Sequence, residues 1–409
     1  MSTDRIESTF TTLLQQPQIQ KALTYLRTDQ KNKLNELKEM ALISGAPHTE
    51  LEIRSPMFLE KLRHYGLSQC TTDAIGNVFG RVEGKGKGYI LVEGHLDTVF
   101  DLNTPLAITE DADGTLHCPG ISDNTASLAT ELSIIRAIRE CGLKPVTTLL
   151  IGGTVGEEAP GEARGVRYIM KHYPRPTAYL CLDSGQDFDI ITGAVACKRH
   201  EIVLNGPGGH SWNNWGRTNP VNALGRAISL ISDIVPVQLP KTTYNIGVIV
   251  GGTTVNTIAS RAAMDIDIRS LDNESKLSLE KQILACLEQA VHEENRRYPD
   301  SEPITIFDRP YGDKPGGHIP DDSLIVQAAM ASARMVDLPR TITEPASTNA
   351  NFPISDGIPS LCINCNGPCG NLHAANEWYN PAISWKGAQS LLLLMFALSG
   401  LEGVTQPLL

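Results

Sequence analysis

Residues Tyr89–Phe100, YILVEGHLDTVF, decide the fold of this chain. An apolar run typical of a buried strand ends in His95 and Asp97, and side chains two residues apart on a strand share one face. Two further apolar runs also end at acids: TTLLIGGTV leads to Glu157, and AYLCL leads to Asp183. Because ligands bind beyond the carboxyl ends of parallel strands, these polar residues predict a functional site there.

The order of strands and helices predicts an α/β fold. Continuous apolar strands alternate with helical stretches such as TASLATELSIIRAIRECG, which indicates a mainly parallel sheet flanked by helices. Within residues 197–308 the order becomes β-α-β-β-α-β, the split unit of ferredoxin-like domains. Its first helix has Asn219 as N-cap and Pro220 in the first turn. We therefore expect a domain inserted between residues 1–196 and 309–409.

The bulk composition excludes several classes of protein. The chain has 409 residues, of which 41% are hydrophobic and 20% charged, as in a soluble globular protein of two domains. Its net charge of −11 gives no support for binding nucleic acid or an anionic membrane. The first residues lack the features of a signal peptide, and no apolar run reaches the ~18 residues that span a bilayer. Nine cysteines without a paired pattern favour a reducing compartment, so we expect the cytoplasm.

A set of histidines and carboxylates near the strand ends predicts a metal site. Two histidines and three carboxylates, one of them bridging, can hold two divalent ions, and such ligands suit zinc and also cobalt or manganese. Many aminopeptidases and phosphatases use such ion pairs, with a further carboxylate as general base. Each element alone is a weak signal, because adjacent glutamates are usually on a solvated surface and an aspartate at a strand end is usually a helix cap or part of a turn. The candidates are His95, Asp97, Asp123, Glu157, Glu158, Asp183 and His373.

Six motifs along the chain resemble those of one family. They are GHLDTV, SDNTAS, GEE, LDSG, GPGGHS and GGTTVN. Through them the chain resembles the M20 family of metallopeptidases and amidohydrolases, which includes aminoacylases, deacylases, dipeptidases and glutamate carboxypeptidases. The resemblance extends from GNVFGRVEGKGKG to HAANEW, nearly the whole chain. It implies a di-metal exopeptidase fold with an inserted dimerisation or lid domain.

The resemblance also implies how two metal ions would be held. His95 and Asp183 would bind one ion. Glu158 and His373 would bind the other, and Asp123 would bridge the two. A cis peptide bond after Asp123 is a further feature of the family. The ions would be zinc, with cobalt or manganese as alternatives.

Two more residues of the motifs acquire catalytic roles from the resemblance. Asp97 would orient the imidazole of His95. Glu157 would be the general base that deprotonates a water bridging the ions, and it would then protonate the leaving amine. These roles describe the hydrolysis of an amide bond.

The inserted domain would contribute residues of its own. In the family it carries the contact of a homodimer, and His210 in GPGGHS would help to stabilise the oxyanion in the partner's active site. Asn256 and Arg269 match positions that bind a substrate carboxylate. The alternatives are an ordinary polar residue after a glycine-rich turn for His210, and a cross-strand ion pair for Arg269.

The function that these observations favour is a dimeric, two-metal amidohydrolase. Its substrate would be a small peptide or an N-acyl amino acid with a free carboxylate. A ureide or carbamoyl amide hydrolysed at the same site is an alternative. A catalytically silent relative that binds a ligand or only dimerises is another.

Some positions depart from the family's pattern. Asn349 stands where relatives often have an acid, a change that we expect to bear on substrate identity more than on metal binding. The spacing of Cys362, Cys365 and Cys369 resembles that of a structural zinc site, but a fourth ligand is missing from the sequence around them. We expect Cys362 in the core, and Cys365 and Cys369 near the approach to His373.

Overall fold

The computed structural model describes residues 2–183, 185 and 187–409 and divides into two compact units. The first unit comprises residues 1–194 and 318–409, and the second comprises residues 195–317. The second unit is therefore inserted into the first. No helix in the described ranges is long and apolar enough to cross a membrane.

The described residues contain eleven α-helices. In chain order they are α1 (Ser2–Leu14), α2 (Pro17–Thr28), α3 (Gln30–Ala41), α4 (Arg54–His64), α5 (Ser127–Cys141), α6 (Arg164–His172), α7 (Pro220–Ser232), α8 (Asn273–Arg297), α9 (Leu324–Arg334), α10 (Asn351–Ser355) and α11 (Ser384–Ser399).

The strands range from two to ten residues in length. They are β1 (Ser68–Thr72), β2 (Val78–Val82), β3 (Tyr89–His95), β4 (Thr109–Glu110), β5 (Leu116–His117), β6 (Thr148–Thr154), β7 (Ala178–Leu182), β8 (Ile190–Ile191), β9 (Gly193–Ala194), β10 (Ala196–Asn205), β11 (Gly209–His210), β12 (Thr242–Gly251), β13 (Thr257–Ile258), β14 (Arg261–Ser270), β15 (Thr305–Lys314), β16 (Gly317–His318), β17 (Ile342–Thr343), β18 (Ser360–Ile363), β19 (Cys369–Gly370) and β20 (Trp378–Tyr379).

The first unit is built on a mixed sheet in the order β1-β2-β6-β3-β7-β18-β8-β17. Its centre, β6, β3, β7 and β18, is parallel, and β1 and β2 are antiparallel additions at one edge. Every residue of β3, β6 and β7 is buried, as expected for strands covered on both faces. Helices α5 and α11, buried along almost their whole length, pack against β3 and β6. The predicted α/β fold with a mainly parallel sheet describes this centre.

The second unit has an antiparallel sheet in the order β12-β14-β10-β15. Helices α7 and α8 pack against each other and against this sheet, so the chain order is β-α-β-β-α-β apart from two short strands. Asn219 caps α7 by accepting a hydrogen bond from the Val221 N–H at 3.0 Å, and Pro220 occupies the first turn. The predicted boundary at residue 308 falls inside β15, because this edge strand pairs with β10 as far as Lys314.

The N-cap of α7 gives a first prediction. In Asn219→Ala the Val221 N–H loses its acceptor, so we expect the free energy of unfolding to fall by about 1 kcal/mol. Denaturant unfolding followed by circular dichroism measures the change. Asn219→Ser keeps an accepting oxygen and should behave as wild type. Equal losses in both variants would show that the side-chain cap contributes nothing.

Candidate metal centre

The parallel strands deliver the candidate ligands to one edge of the sheet. His95 is the last residue of β3, and Asp183 directly follows β7, the neighbour of β3. Glu157 and Glu158 follow β6, the neighbour on the other side. Because the carboxyl ends of parallel strands lie at one edge, residues far apart in sequence become neighbours here. The sequence prediction of a functional site at this edge agrees with the position of these side chains.

One cluster of possible metal ligands consists of His95, Asp123 and Asp183. Their ligand atoms all lie within 4.8 Å of one another. His95 Nε2 lies 3.0 Å from Asp123 Oδ1 and 3.6 Å from Asp183 Oδ1. All three residues are buried. These are the residues predicted to surround one ion and its bridging carboxylate.

A second cluster shares Asp123 with the first and adds Glu158 and His373. His373 Nε2 lies 3.1 Å from Asp123 Oδ2 and 2.9 Å from Glu158 Oε1. Asp123 therefore directs Oδ1 towards His95 and Oδ2 towards His373. A carboxylate in this orientation can bridge two ions. The peptide bond between Asp123 and Asn124 is cis.

Glu157 lies beside both clusters. Its carboxylate forms a further group with His95 and Glu158, with ligand atoms within 4.8 Å of one another. The side chain is buried, with 7% of its surface exposed. A carboxylate at this position is available to exchange a proton with a molecule bound at the edge of the sheet.

The electrostatics of the clusters show strong coupling between acids and imidazoles. Burial acts to lower the pKa of His95, but hydrogen bonds to Asp123 and Asp183 outweigh it and raise that pKa well above its usual value. Hydrogen bonds to Asp123 and Glu158 raise the pKa of His373 to about 10. Without a metal ion, both shifts therefore favour the doubly protonated, positively charged imidazolium form at neutral pH. Positive charge between these carboxylates is favourable, which is what a cation site requires.

The carboxylates respond differently to their surroundings. Burial raises the pKa of Glu158 to about 7 and that of Asp183 to about 6. Burial also acts to raise the pKa of Asp123, but bonds to His373 and His95 outweigh it and hold that pKa well below its usual range. The carboxylate between the two histidines is thus the one most firmly ionised.

Asp97 contacts the imidazole of His95 with its backbone and with its side chain. Its carboxylate Oδ1 lies 3.7 Å from His95 Nδ1, whereas its backbone oxygen lies 3.0 Å from the same nitrogen. The carboxylate also accepts hydrogen bonds from the backbone N–H groups of Glu157 and Glu158, at 3.1 and 2.9 Å. The backbone of Asp97 therefore orients the imidazole, and its side chain fixes the turn that carries both glutamates.

Glu377 is a supporting residue that the sequence reasoning missed. Its buried carboxylate accepts hydrogen bonds from the backbone N–H groups of Gly120, Ser122 and Asp123, at 3.1, 2.8 and 2.9 Å. It thereby holds the loop that carries the shared carboxylate. An acid four residues after His373, in HAANEW, is the only signal that the sequence offers.

Arg54 supports the site from another direction. Its fully buried guanidinium donates to the carbonyl oxygen of Leu96, between His95 and Asp97, at 3.1 Å. It also donates to the carbonyl oxygens at the end of α3, those of Met40 and Ile43. Burial lowers the pKa of Arg54 to about 10. Because its partners are carbonyl groups, nothing in the sequence marks this arginine.

Asn349 is buried and contacts the side chains of Thr154 and Glu93. Only 1% of its surface is exposed. Its Nδ2 donates to Thr154 Oγ1 at 2.9 Å and lies 3.3 Å from Glu93 Oε2. Thr154 and Tyr179 also donate to Glu93, whose pKa burial raises to about 7. Asn349 is therefore part of a buried network, and its influence on the substrate stays a prediction.

The cysteines of CINCNGPCG are all buried. Cys362 lies in β18 within the core, as predicted. Its neighbours among possible metal ligands are Cys181 and Asp183, in place of the other two cysteines of its own segment. Cys369 Sγ donates to the carbonyl oxygen of Gly185 at 2.7 Å.

Of the candidate residues in the second unit, His210 and Asn256 lie on neighbouring segments. His210 in β11 pairs with Thr257 in β13, and the Ser211 N–H donates to the Asn256 carbonyl oxygen at 2.9 Å. His210 and Asn256 are both exposed. Arg269 Nε donates to Asp267 Oδ2 at 2.7 Å. The alternative of an ion pair for Arg269 is thus observed, with a partner on its own strand.

Comparisons with known proteins agree with this architecture. A model of peptidase family M20/M25/M40 matches residues 91–397. The N-acetylcysteine deacetylase of Bacillus subtilis is 24% identical over 249 residues, which are 56% of this chain and 61% of that protein. The chain thus spans about three fifths of the length of this curated relative.

Two solved structures share the fold. A tripeptidase from Staphylococcus aureus superposes with a TM-score of 0.74 at 21% identity, over 90% of this chain and 97% of that one. The Bacillus subtilis YXEP protein, described as a dinuclear metal-binding peptidase of the M20 family, gives 0.66 at 16% identity, over 91% and 99%. At these identities the likeness shows the fold alone.

The raised pKa values of the site predict how stability varies with pH. The pKa is higher in the folded than in the unfolded protein for Glu158, Asp183 and His373. Such a group contributes its full stabilisation of the fold at pH values below its unfolded pKa. That contribution disappears as pH rises through the folded pKa. We therefore expect the free energy of unfolding of chelator-treated protein to fall as pH rises from about 5 to about 8. Urea unfolding across this range measures it.

Glu158→Gln removes one titrating group and should reduce the slope of this decline. Excess divalent cation should also reduce it, because cation binding replaces the protons. A stability that rises with pH in the chelated protein would contradict the assignment.

Proposed function

Because the chain belongs to peptidase family M20/M25/M40, we propose that it is a metal-dependent hydrolase of amide bonds in small peptides or N-acyl amino acids. The observation that carries the proposal is the pair of ligand clusters that share Asp123. The names of a deacetylase and a dinuclear metal-binding peptidase among its relatives support it. All nine cysteines are free in the structure, which supports a cytoplasmic location.

The donor set fits two divalent ions. Each cluster offers imidazole and carboxylate ligands, and three protein ligands leave a position open for a reactant, as in catalytic zinc sites. His95, Asp123 and Asp183 would hold one ion, and Asp123, Glu158 and His373 the other. Zinc is the first candidate, with cobalt or manganese as alternatives. When bound, the ions supply Lewis acidity to the carbonyl group and make water more acidic.

Glu157 is proposed as the group that moves the proton. Its carboxylate takes a proton from the attacking water and then gives it to the nitrogen of the scissile amide. Asp97 accepts a hydrogen bond from the backbone N–H of Glu157, and its backbone oxygen lies 3.0 Å from His95 Nδ1, so the base is fixed relative to His95. This geometry keeps the carboxylate oriented through both proton transfers.

The second unit is proposed to bind the substrate carboxylate and to form a homodimer. Arg269 uses its Nε–H for Asp267, and a guanidinium has further N–H groups with which to bind a substrate carboxylate. Asn256 is proposed to bind the same class of group. His210 would stabilise the oxyanion in the partner's site. Strand β12 is an edge strand with exposed Val248, Ile249 and Val250, which supports pairing with a second copy.

Two other functions remain alternatives. A ureide or a carbamoyl amide presents a similar carbonyl to the same groups. A silent binding protein would keep the ligands without turnover. Hydrolysis assays with N-acyl amino acids, dipeptides and carbamoyl amino acids separate the three, because a silent protein would release no amine from any of them.

Asp123→Ala tests the shared carboxylate. We expect close to two divalent ions per subunit in wild type purified without chelator, and a loss of both in the variant, because both clusters depend on this residue. Elemental analysis measures the content. Asp187→Ala, which changes an acid outside the clusters, is the matched control. Failure of wild type to retain zinc, cobalt or manganese would overturn the two-metal proposal.

Glu157→Gln tests the proton transfer. We expect kcat to fall by roughly 100- to 10,000-fold, the usual contribution of general acid–base catalysis. Metal content should stay at the wild-type value. Glu158→Gln should instead lower the metal content, which separates a base from a ligand. Unchanged kcat in Glu157→Gln would remove it from the mechanism.

A further inference from the structure

A second row of side chains, next to the metal centre on the same sheet, is formed by Glu93, Cys181 and Cys362. In the parallel sheet Glu93 of β3 pairs with Cys181 of β7, and Cys181 pairs with Cys362 of β18. Glu93 and Cys181 precede His95 and Asp183 by two residues each, so they lie on the same face of their strands. The row therefore continues the face that carries the ligands.

Two thiols and a carboxylate of these rows form a compact cluster. Cys181 Sγ, Cys362 Sγ and a carboxylate oxygen of Asp183 all lie within 4.8 Å of one another. The two residues are direct neighbours across the parallel pair β7 and β18. Both are almost completely buried, with 1% and 2% of their surfaces exposed. The proposed mechanism uses neither of them.

We propose that Cys181, Cys362 and Asp183 form a separate site for a soft divalent cation, such as cadmium or excess zinc. Thiolates prefer soft ions, whereas carboxylates and imidazoles accept harder ones. Binding exchanges the two thiol protons for one cation of charge +2, and both protons leave to solvent. The net charge of the buried cluster is therefore the same before and after, which avoids the cost of burying an additional charge.

The site adjoins the metal centre because the two share Asp183. This carboxylate belongs both to the thiol cluster and to the cluster with His95, whose Nε2 lies 3.6 Å from Asp183 Oδ1. A cation held by the thiols draws on the same carboxylate and weakens its hold on the ion beside His95. Excess zinc should therefore inhibit, a consequence that rests on the proposed hydrolase function. The binding itself does not.

X-ray absorption at the cadmium edge tests the site. Protein reduced with a phosphine and kept in excess Mn²⁺ receives one equivalent of Cd²⁺. We expect two sulfur neighbours around cadmium in wild type. Cys362→Ser should keep at most one, that of Cys181, whereas Cys365→Ser, which changes a buried cysteine of the same segment, should keep both. Circular dichroism verifies that each variant is folded.

Several outcomes would overturn the proposal. Only nitrogen and oxygen neighbours in wild type would exclude a thiolate site, even if a variant fails to fold. Two sulfur neighbours that persist in folded Cys362→Ser would assign cadmium to other cysteines.

Activity forms a separate arm of the test. In the Mn²⁺-loaded enzyme we expect Cys362→Ser to need at least about tenfold more zinc for half inhibition. Sulfur ligation together with an inactive Mn²⁺ protein would support the cation site and refute the hydrolase. Hydrolysis by the Mn²⁺-loaded protein, without sulfur ligation of cadmium, would support the hydrolase and refute the cation site.

Discussion

The arrangement of the site depends on the carboxylate of Asp123, because its two oxygens face two different histidines. Oδ1 lies 3.0 Å from His95 and Oδ2 lies 3.1 Å from His373, so one residue connects a strand end of the sheet to a loop 250 positions away. The backbone around it is fixed as well. Glu377 accepts from the Asp123 N–H, and Asn124 Nδ2 donates to the Leu182 carbonyl oxygen at 2.7 Å. Rotation of this carboxylate would disturb both clusters at once.

Buried charges that bond to the backbone hold the surrounding loops. Arg54 binds the carbonyl oxygen of Leu96, Asp97 binds the N–H groups of Glu157 and Glu158, and Glu377 binds those of the Asp123 loop. Burying a charge is costly unless several hydrogen bonds compensate it, and each of these groups has them. Loops fixed by such bonds can hold acids close together that would otherwise repel each other.

The sequence predicts the candidate ligands better than it predicts their supports. Each of the residues His95, Glu157 and Asp183 stands at or after the end of an apolar strand. Because parallel pairing brings those strand ends together, the sequence pattern alone predicts that the three side chains are close in space. Arg54 and Glu377 could not be predicted, because their partners are backbone groups distant in sequence, which leave no pattern of residue types. The ferredoxin-like order could be predicted from the same patterns of apolar residues. The end of β15 could not, because its later part, DRPYGDK, is mostly polar and contains proline and glycine.

The network around Glu93 explains why residue 349 is an asparagine. Asn349 Nδ2 lies 3.3 and 3.4 Å from the two carboxylate oxygens of Glu93 and donates to Thr154. An acid at this position would place a second carboxyl group against a fully buried one, and two carboxyl groups in one site cannot both ionise without a large cost. The amide supplies donors where an ionised carboxylate would supply only acceptors. An asparagine at residue 349 is therefore suited to Glu93 and its buried surroundings.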